Sequence, residues 1–158
     1  MITGKNYIGN LLSSIGNMTF KTFNPQKNVE NSVVFTEASD IEIEQASFLA
    51  KTAFKKFQKV SGFKKSEFLN EIANEILLLG EELQEVYCLE SGLSKQRFLG
   101  ERTRTLFQLR SFADLVKEGS WVEATIETGN LDRKPTPKVD IRKMLVPLGP
   151  VVVFGASN

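Results

Sequence analysis

The feature that most constrains the fold is the closing stretch "PLGPVVVFGASN", Pro147 to Asn158. A turn rich in proline and glycine leads into four consecutive apolar residues, Val151 to Phe154, with no polar residue among them. Runs of this kind are typical of a parallel strand that is covered on both faces. Its neighbours would need crossover segments of about a dozen residues or more, and none follows in this sequence. We therefore expect an α/β fold and interpret the chain as the N-terminal part of a larger protein.

Four helices are predicted ahead of that strand, because apolar residues recur there at spacings of three and four. The first begins after Ser39, since Ser39 and Glu42 have the spacing of a capping box. Three glycines mark the predicted ends of the other helices: Gly80, Gly92 and Gly119. The apolar stripe of the first helix consists of Ile43, Ala46, Ala50, Ala53, Phe57 and Val60.

Strands are predicted on both sides of the helices. Before them, "TFKTF" and "SVVFTEA" carry β-branched and aromatic residues around a turn-rich segment. After them, "WVEATI" alternates apolar with polar residues, and "VDIRKMLV" is a second strand that could pair with it as a long-armed hairpin. We thus expect a helical part over residues 1–120, an arm over 121–147 and one buried strand within residues 148–158.

The composition excludes several kinds of site and partner. The chain has no histidine and one cysteine, so it cannot form a zinc site or a Ser-His or Cys-His catalytic pair, and no metal is expected. A net charge of +1 gives no field that would attract nucleic acid. The longest apolar run is too short to cross a membrane. A single cysteine permits no internal disulfide, which fits a reducing compartment, and we expect a cytoplasmic protein.

Several stretches, taken in order, resemble the aldehyde dehydrogenase superfamily. "FNP" at Phe23–Pro25 resembles the family's "NPATG" opening, and "LESG" at Leu89–Gly92 resembles the motif after its third helix. "AKTAFKKFQKVSGFKKSEFLNEIANEI" resembles the family's first pair of helices. "GERTRTLFQLRSFADLVKEGSW" and "DRKPTPKVDIRKMLVPLGPVVVFGASN" resemble a bacterial NADP-dependent branch that acts on 2-oxoglutarate semialdehyde (2,5-dioxopentanoate) and fatty aldehydes.

The resemblance implies an enzyme that oxidises a small-molecule aldehyde to a carboxylate, with NADP+ as the cofactor and NAD+ as the alternative. It implies that residues 1–120 are the N-terminal helical part of a dinucleotide-binding domain and that residues 148–158 form the first strand of its Rossmann-like sheet. In that strand and the loop after it, Phe154, Gly155, Ala156 and Ser157 would lie along the cofactor. It also implies that the catalytic Asn158 donates its side-chain amide to the carbonyl oxygen of the substrate. In the family, the nucleophilic cysteine, the general-base glutamate and the glycine-rich cofactor turn come later in the chain. We therefore expect this segment alone to be inactive.

The residues by themselves leave alternatives open. An asparagine that follows a strand is more often a turn residue, and Gly155 fits a plain turn as well as a close backbone approach. Cys88 lies on a short amphipathic helix without a base nearby, which favours a structural thiol over a nucleophile. Glu90 in "ESG" is interpreted as a residue of the last helical turn.

Two further expectations concern partners. The resemblance implies that the arm joins subunits into a homodimer or tetramer. The charge and the short apolar runs give no reason to expect nucleic acid or a membrane as a partner. The alternative function is a non-catalytic helical interaction module whose closing strand docks onto a partner's sheet. Within the superfamily, the acyl-phosphate reductases are a lesser alternative.

Overall fold

The structure is a computed structural model that describes residues 2–155 of the 158-residue chain. Within that range the strands form three antiparallel hairpins, β1–β2, β3–β4 and β5–β6, and four helices lie between the second and the third. The elements are β1 (Asn6–Ile8), β2 (Leu11–Ser13), β3 (Thr19–Asn24), β4 (Val29–Thr36), α1 (Asp40–Phe57), α2 (Gly62–Leu78), α3 (Gly80–Ser91), α4 (Lys95–Glu118), a 3₁₀ turn (Ser120–Val122), β5 (Thr125–Glu127) and β6 (Ile141–Lys143). No helix among the described residues has the length and apolar character that a membrane span requires.

The predicted start of α1 is confirmed. The Ser39 hydroxyl accepts a hydrogen bond from the Glu42 amide at 3.3 Å, and the Glu42 carboxylate accepts one from the Ser39 amide at 2.8 Å. This is the reciprocal pair of a capping box, which satisfies two backbone donors at the start of the helix. Ser61 and Ser94 are the N-caps of α2 and α4, and each side chain accepts a hydrogen bond from the amide of the third residue of its helix.

The predicted ends of α2, α3 and α4 are confirmed to within one residue, whereas α1 ends at Phe57, before Val60, the last residue of its predicted stripe. Helices α3 and α4 end at Gly92 and Gly119, whose φ angles of 69° and 88° lie in the left-handed region. Glycine adopts this region without a steric penalty, which is why it is common just after a helix. The C-cap of α2 is Leu79, one residue before the predicted Gly80, which itself has a φ of 49°.

The core lies between α2 and α4, whose backbones approach closely. A Cβ atom built on Gly62 would lie 2.2 Å from the carbonyl oxygen of Val116, so the start of α2 touches the end of α4 and the two helices run antiparallel. Ala73 of α2 and Ala113 of α4 are both fully buried. The other buried side chains of this helix pair are Ser66, Phe98 and Leu106. Small residues at the contact let the two helices pack at short range.

The apolar stripe identified on α1 from the sequence is largely uncovered in the structure. Ile43 is 54% exposed, and Phe57 is also exposed. The buried side of α1 is offset towards Glu42 and Leu49, since the hairpin β1–β2 packs there. A Cβ atom on Gly9, in the turn of that hairpin, would lie 3.0 Å from Cδ1 of Leu49.

Hairpin β1–β2 has no counterpart in the sequence prediction. Its strands are three residues long and are joined by Gly9 and Asn10, with φ of 62° at the glycine. A Gly-Asn pair between short apolar segments is a hairpin signal, so the turn could have been predicted from the sequence. The strands themselves are too short to show alternation.

The arm forms the predicted hairpin, but it is shorter than expected. Strands β5 and β6 pair antiparallel, with Ile126 opposite Arg142. The predicted strand "WVEATI" is wrong in its first half, where a 3₁₀ turn replaces it. The cause is local: the Glu118 carboxylate accepts hydrogen bonds from the amide of Ser120 at 2.9 Å and from its hydroxyl at 2.5 Å. This closes a turn directly after α4.

The predicted closing strand is not formed in the described residues. Residues 151–155 have no strand structure, and Val151 to Phe154 are 74–87% exposed. A parallel strand is held by hydrogen bonds to its neighbours and is buried by helices on both faces. No strand of residues 2–155 pairs with this segment, so its apolar side chains lie in solvent.

The close contact of α2 and α4 gives a prediction with an internal control. We expect Gly62→Ala to destabilise the protein by about 1–3 kcal/mol, because the new methyl group would meet backbone that cannot move independently of its helix. Gly100→Ala, within α4, has open space around the Cβ position and is expected to be neutral or stabilising by up to about 1 kcal/mol. Urea unfolding of both variants measures the difference, and equal effects would contradict the proposed contact.

Candidate functional site

The predicted substrate- and cofactor-binding residues lie at the C-terminal end of the chain. Ala156, Ser157 and Asn158 are outside the described residues, so their predicted roles stay predictions. Phe154 is 87% exposed, and apart from its chain neighbours no described atom lies within 4 Å of the Cβ position of Gly155. These two residues, the last of the candidate site that the structure describes, are thus at the surface.

The segment that leads to this site is attached to the rest of the molecule at two points. The Leu145 amide donates to the carbonyl of Val122 at 2.8 Å, which ties the end of the arm to the 3₁₀ turn. In the "PLGP" turn, Gly149 has a φ of 126°, and a Cβ atom there would lie 4.0 Å from Cε1 of Phe54. The turn therefore passes beside the last part of α1 before the apolar run begins.

Two of the motifs that carry the resemblance meet in space. A Cβ atom on Gly92, the last residue of "LESG", would lie 2.7 Å from Cγ of Pro25 in "FNP". The side-chain amide of Gln26 donates to the carbonyl of Gly92 at 2.6 Å. A larger residue at position 92 would meet the proline ring as well as an unfavourable φ, so this glycine is required twice over.

A polar network extends this contact into hairpin β3–β4. The Thr22 hydroxyl donates to the Glu90 carboxylate at 3.0 Å and accepts from the side-chain amide of Asn31 at 3.0 Å. The side chain of Asn24 accepts the amides of Gln26 and Lys27, each at 3.0 Å. Both asparagines are buried, and buried polar groups need such partners. Glu90 lies in the last turn of α3, as predicted, and here it holds the hairpin on the helix.

The titratable groups of the described residues do not form a catalytic pair. Cys88 is free and half-buried on α3. Glu42 is buried, and hydrogen bonds from the Ser13 hydroxyl and the Ser39 amide lower its pKa to about 2. A general base works best with a pKa near the operating pH, so Glu42 is unsuited to that role. Residues 2–155 contain no group of three or more His, Cys, Asp or Glu side chains that could hold a metal ion.

A groove of about 770 Å³ lies between hairpin β1–β2 and α1. Its lining includes Tyr7, Leu11, Leu49, Ala53 and Lys56, and it carries no carboxylate, cysteine or histidine. It therefore offers neither a nucleophile with its base nor a set of metal ligands. Among the described residues, Phe154 and Gly155 are the candidate site residues predicted from the sequence.

The comparison with protein families decides the relationship that the motifs suggest. A sequence model of the aldehyde dehydrogenase family matches residues 13–158. The chain belongs to the aldehyde dehydrogenase family. The match includes "FNP", "LESG" and the closing apolar run, so the resemblance seen in the sequence is confirmed.

Two curated relatives are similar over almost the whole chain. The alpha-ketoglutaric semialdehyde dehydrogenase of Acinetobacter baylyi is 39% identical over 155 residues, which is 98% of this chain and 30% of that protein. The alpha-ketoglutaric semialdehyde dehydrogenase 2 of Azospirillum brasilense is 39% identical over 158 residues, 99% of this chain and 30% of that protein. The chain thus spans about 30% of the length of the curated relatives that it matches.

Solved structures of the family have the same fold over this region. A betaine aldehyde dehydrogenase from Staphylococcus aureus, crystallised with NAD+, superposes with a TM-score of 0.68 at 17% identity, over 78% of this chain and 24% of that one. An NAD-dependent benzaldehyde dehydrogenase from Corynebacterium glutamicum gives a TM-score of 0.58 at 19% identity, over 82% and 28%. The predicted fold class, the N-terminal part of the α/β aldehyde dehydrogenase fold, is confirmed.

Proposed function

We propose that this chain is the N-terminal part of an enzyme that oxidises an aldehyde to a carboxylate, with 2-oxoglutarate semialdehyde or a related aldehyde as the substrate. The observation that carries the proposal is the 39% identity to two alpha-ketoglutaric semialdehyde dehydrogenases across 98–99% of the chain. The cofactor that we propose is NADP+, with NAD+ as the alternative. A cytoplasmic location is consistent with the single cysteine.

The residues after Val153 fit a dinucleotide cofactor. Gly155 has no side chain, and apart from its chain neighbours no described atom lies within 4 Å of its Cβ position, so a ligand can approach its backbone closely. We propose that Phe154, Gly155, Ala156 and Ser157 lie along the cofactor. When bound, a nicotinamide supplies the acceptor for the hydride that leaves the aldehyde carbon. The nucleophile and the base of the reaction are proposed to lie outside these 158 residues.

Asn158 is proposed to stabilise the charge that develops on the substrate oxygen. Attack of a thiolate on an aldehyde converts a neutral carbonyl oxygen into an oxyanion. A neutral amide donor fixed beside that oxygen binds the oxyanion more strongly than the carbonyl, which lowers the barrier. An amide also adds no positive charge next to the oxidised nicotinamide ring, which is itself positive.

The arm, residues 121–147, is proposed to join two subunits into a homodimer or tetramer. Its strands β5 and β6 have three residues each, and a two-stranded hairpin is marginally stable alone. Ile126 is 67% exposed, and Met144 is exposed as well. These apolar side chains, together with the unpaired strand edges, would be covered by pairing with a second subunit.

The first prediction from this proposal concerns activity. We expect the full-length enzyme to reduce NADP+ in the presence of 2-oxoglutarate semialdehyde, followed by the absorbance of the reduced cofactor. The 158-residue chain alone should give no turnover above background, because no nucleophile with its base is found among its described residues. Turnover by the purified short chain would contradict the placement of the catalytic groups outside it.

The second prediction concerns Asn158 in the full-length enzyme. We expect Asn158→Ala to lower kcat about a hundredfold, the typical loss for one donor to an oxyanion, with little change in cofactor affinity. Asn158→Asp provides the control, because aspartate is as well suited to a turn as asparagine but lacks the amide donor. An aspartate variant with near-normal kcat would show that Asn158 is a turn residue.

The third prediction concerns the arm. We expect Ile126→Lys to shift the full-length enzyme from a dimer or tetramer towards monomer at micromolar concentration, since a charge would be placed in the apolar contact. Thr125→Lys is the matched control, because neighbouring residues of a strand point to opposite faces. Light scattering measures both. A wild-type enzyme that is a stable monomer, or equal effects of the two variants, would contradict the proposal.

A further inference from the structure

Glu42 is a buried carboxylate that the proposed reaction does not use. It lies in the first turn of α1 and is 1% exposed. Its hydrogen-bond partners among the described residues are neutral: Oε2 accepts from the Ser39 amide at 2.8 Å and the Ser39 hydroxyl at 3.0 Å, and Oε1 accepts from the Ile15 amide at 3.4 Å. The Ser13 hydroxyl also lowers the pKa of this carboxyl. Burying a charge is costly unless donors of this kind replace the lost water.

The groups that donate hydrogen bonds to this carboxylate belong to two different parts of the chain. Ser39 caps the helix that carries Glu42, so those bonds are internal to α1. Ser13 is the last residue of β2, and Ile15 follows it. One carboxylate therefore connects the N-cap of α1 to the residues that follow strand β2 of the N-terminal hairpin. The bonds to Ser39 and the bonds to the hairpin can be separated by substitution.

Two further hydrogen bonds hold the other end of the hairpin, and both are made by neutral groups. The Thr36 amide donates to the carbonyl of Gly4 at 2.9 Å, and the Asn6 side-chain amide donates to the carbonyl of Thr36 at 3.2 Å. Both fix the entry of the hairpin to the end of β4. At the exit of the hairpin, the Ile15 amide donates instead to Glu42, a group that can change its charge. Strand β1 and the turn also precede residues 13–158, the region described by the family model.

We propose that the Glu42 carboxylate is a latch that holds the N-terminal hairpin on helix α1, and that protonation or loss of the carboxylate releases the hairpin while α2–α4 stay folded. A backbone amide can only donate, so the Ile15 amide needs an acceptor. A proton on the carboxyl group turns one accepting oxygen into a donor that faces other donors. Release would uncover Ile8 and the side of Leu49 that packs near Gly9.

The pH range of the latch follows from the direction of its pKa. Hydrogen bonds from the Ser13 hydroxyl, then from the Ser39 amide, lower the Glu42 pKa from the usual 4.5 to about 2. A carboxyl with a lowered pKa in the folded state adds stability that is fully present above the unfolded value and is lost as pH falls towards the folded value. The groups that shift this pKa are neutral ones, and the acidic residues nearby in sequence, Glu37, Asp40 and Glu44, are exposed to solvent.

Hydrogen exchange of the full-length protein near neutral pH tests the latch. Glu42→Gln keeps an oxygen for the Ser39 amide, since glutamine also completes a capping box. It replaces the charged acceptor of the Ile15 amide with a neutral one, which weakens that hydrogen bond. We expect amides of residues 6–15 to exchange roughly tenfold faster or more, the effect of losing one charge-assisted hydrogen bond. Amides in α2 and α4 should be unchanged. Ser13→Ala should give a smaller change in the same segment, and Glu44→Gln, on the exposed side, none.

A second measurement separates a latch from a general loss of stability. The difference in Tm between wild type and Glu42→Gln should shrink as the pH falls from about 4.5 towards 2, because the wild-type carboxyl also becomes neutral. The proposal is overturned if the hairpin of Glu42→Gln and of Ser13→Ala stays as protected as in the wild type. Equal loss of protection in α2 and α4, or a difference in Tm that does not depend on pH, would also overturn it.

Discussion

The contact of the α2 and α4 backbones is the constraint on which the other elements depend. With Gly62 against the Val116 carbonyl and two fully buried alanines, the helices pack too closely for larger side chains. Helix α3 then packs on α4, where the rings of Tyr87 and Phe98 lie 5.4 Å apart. The end of α3 in turn holds hairpin β3–β4 through Glu90 and Gly92. The end of β4 is hydrogen-bonded to the start of the N-terminal hairpin. The position of each of these elements thus depends on the element named before it.

The parts of the fold that could be predicted are those with a local cause. The capping box of Ser39 and Glu42 and the glycines at the ends of α3 and α4 act within a few residues, and each is where the sequence placed it. The closing strand depends on distant partners and is not formed in the described residues. The strand predicted for the first half of "WVEATI" was wrong for a local reason. The side chain of Glu118 closes a turn there, and the alternation of apolar and polar residues does not reveal this turn.

The candidate site, like the fold, could be predicted only in part from the sequence. The resemblance supplied the family and the proposed roles of Phe154 to Asn158, which no described contact tests. It gave the order of "FNP" and "LESG" in the chain but did not show that the two motifs are in contact, since Gln26 and Gly92 are 66 residues apart in the sequence. The burial of Glu42 also escaped prediction. A capping box explains only its bonds to Ser39, whereas its remaining partners come from a hairpin whose short strands show no periodicity.

The close approach at Gly62 has an electrostatic consequence for the start of α2. A helix N-terminus carries partial positive charge and usually attracts acidic residues, yet the first turn of α2 has none and contains Lys64 and Lys65 instead. Lys64 is paired with Glu67 at 2.6 Å. The glycine also brings this end of α2 against the last turn of α4, where the carbonyl groups carry partial negative charge. The dipole of one helix thus compensates the other, and lysines are tolerated where they would otherwise oppose the helix.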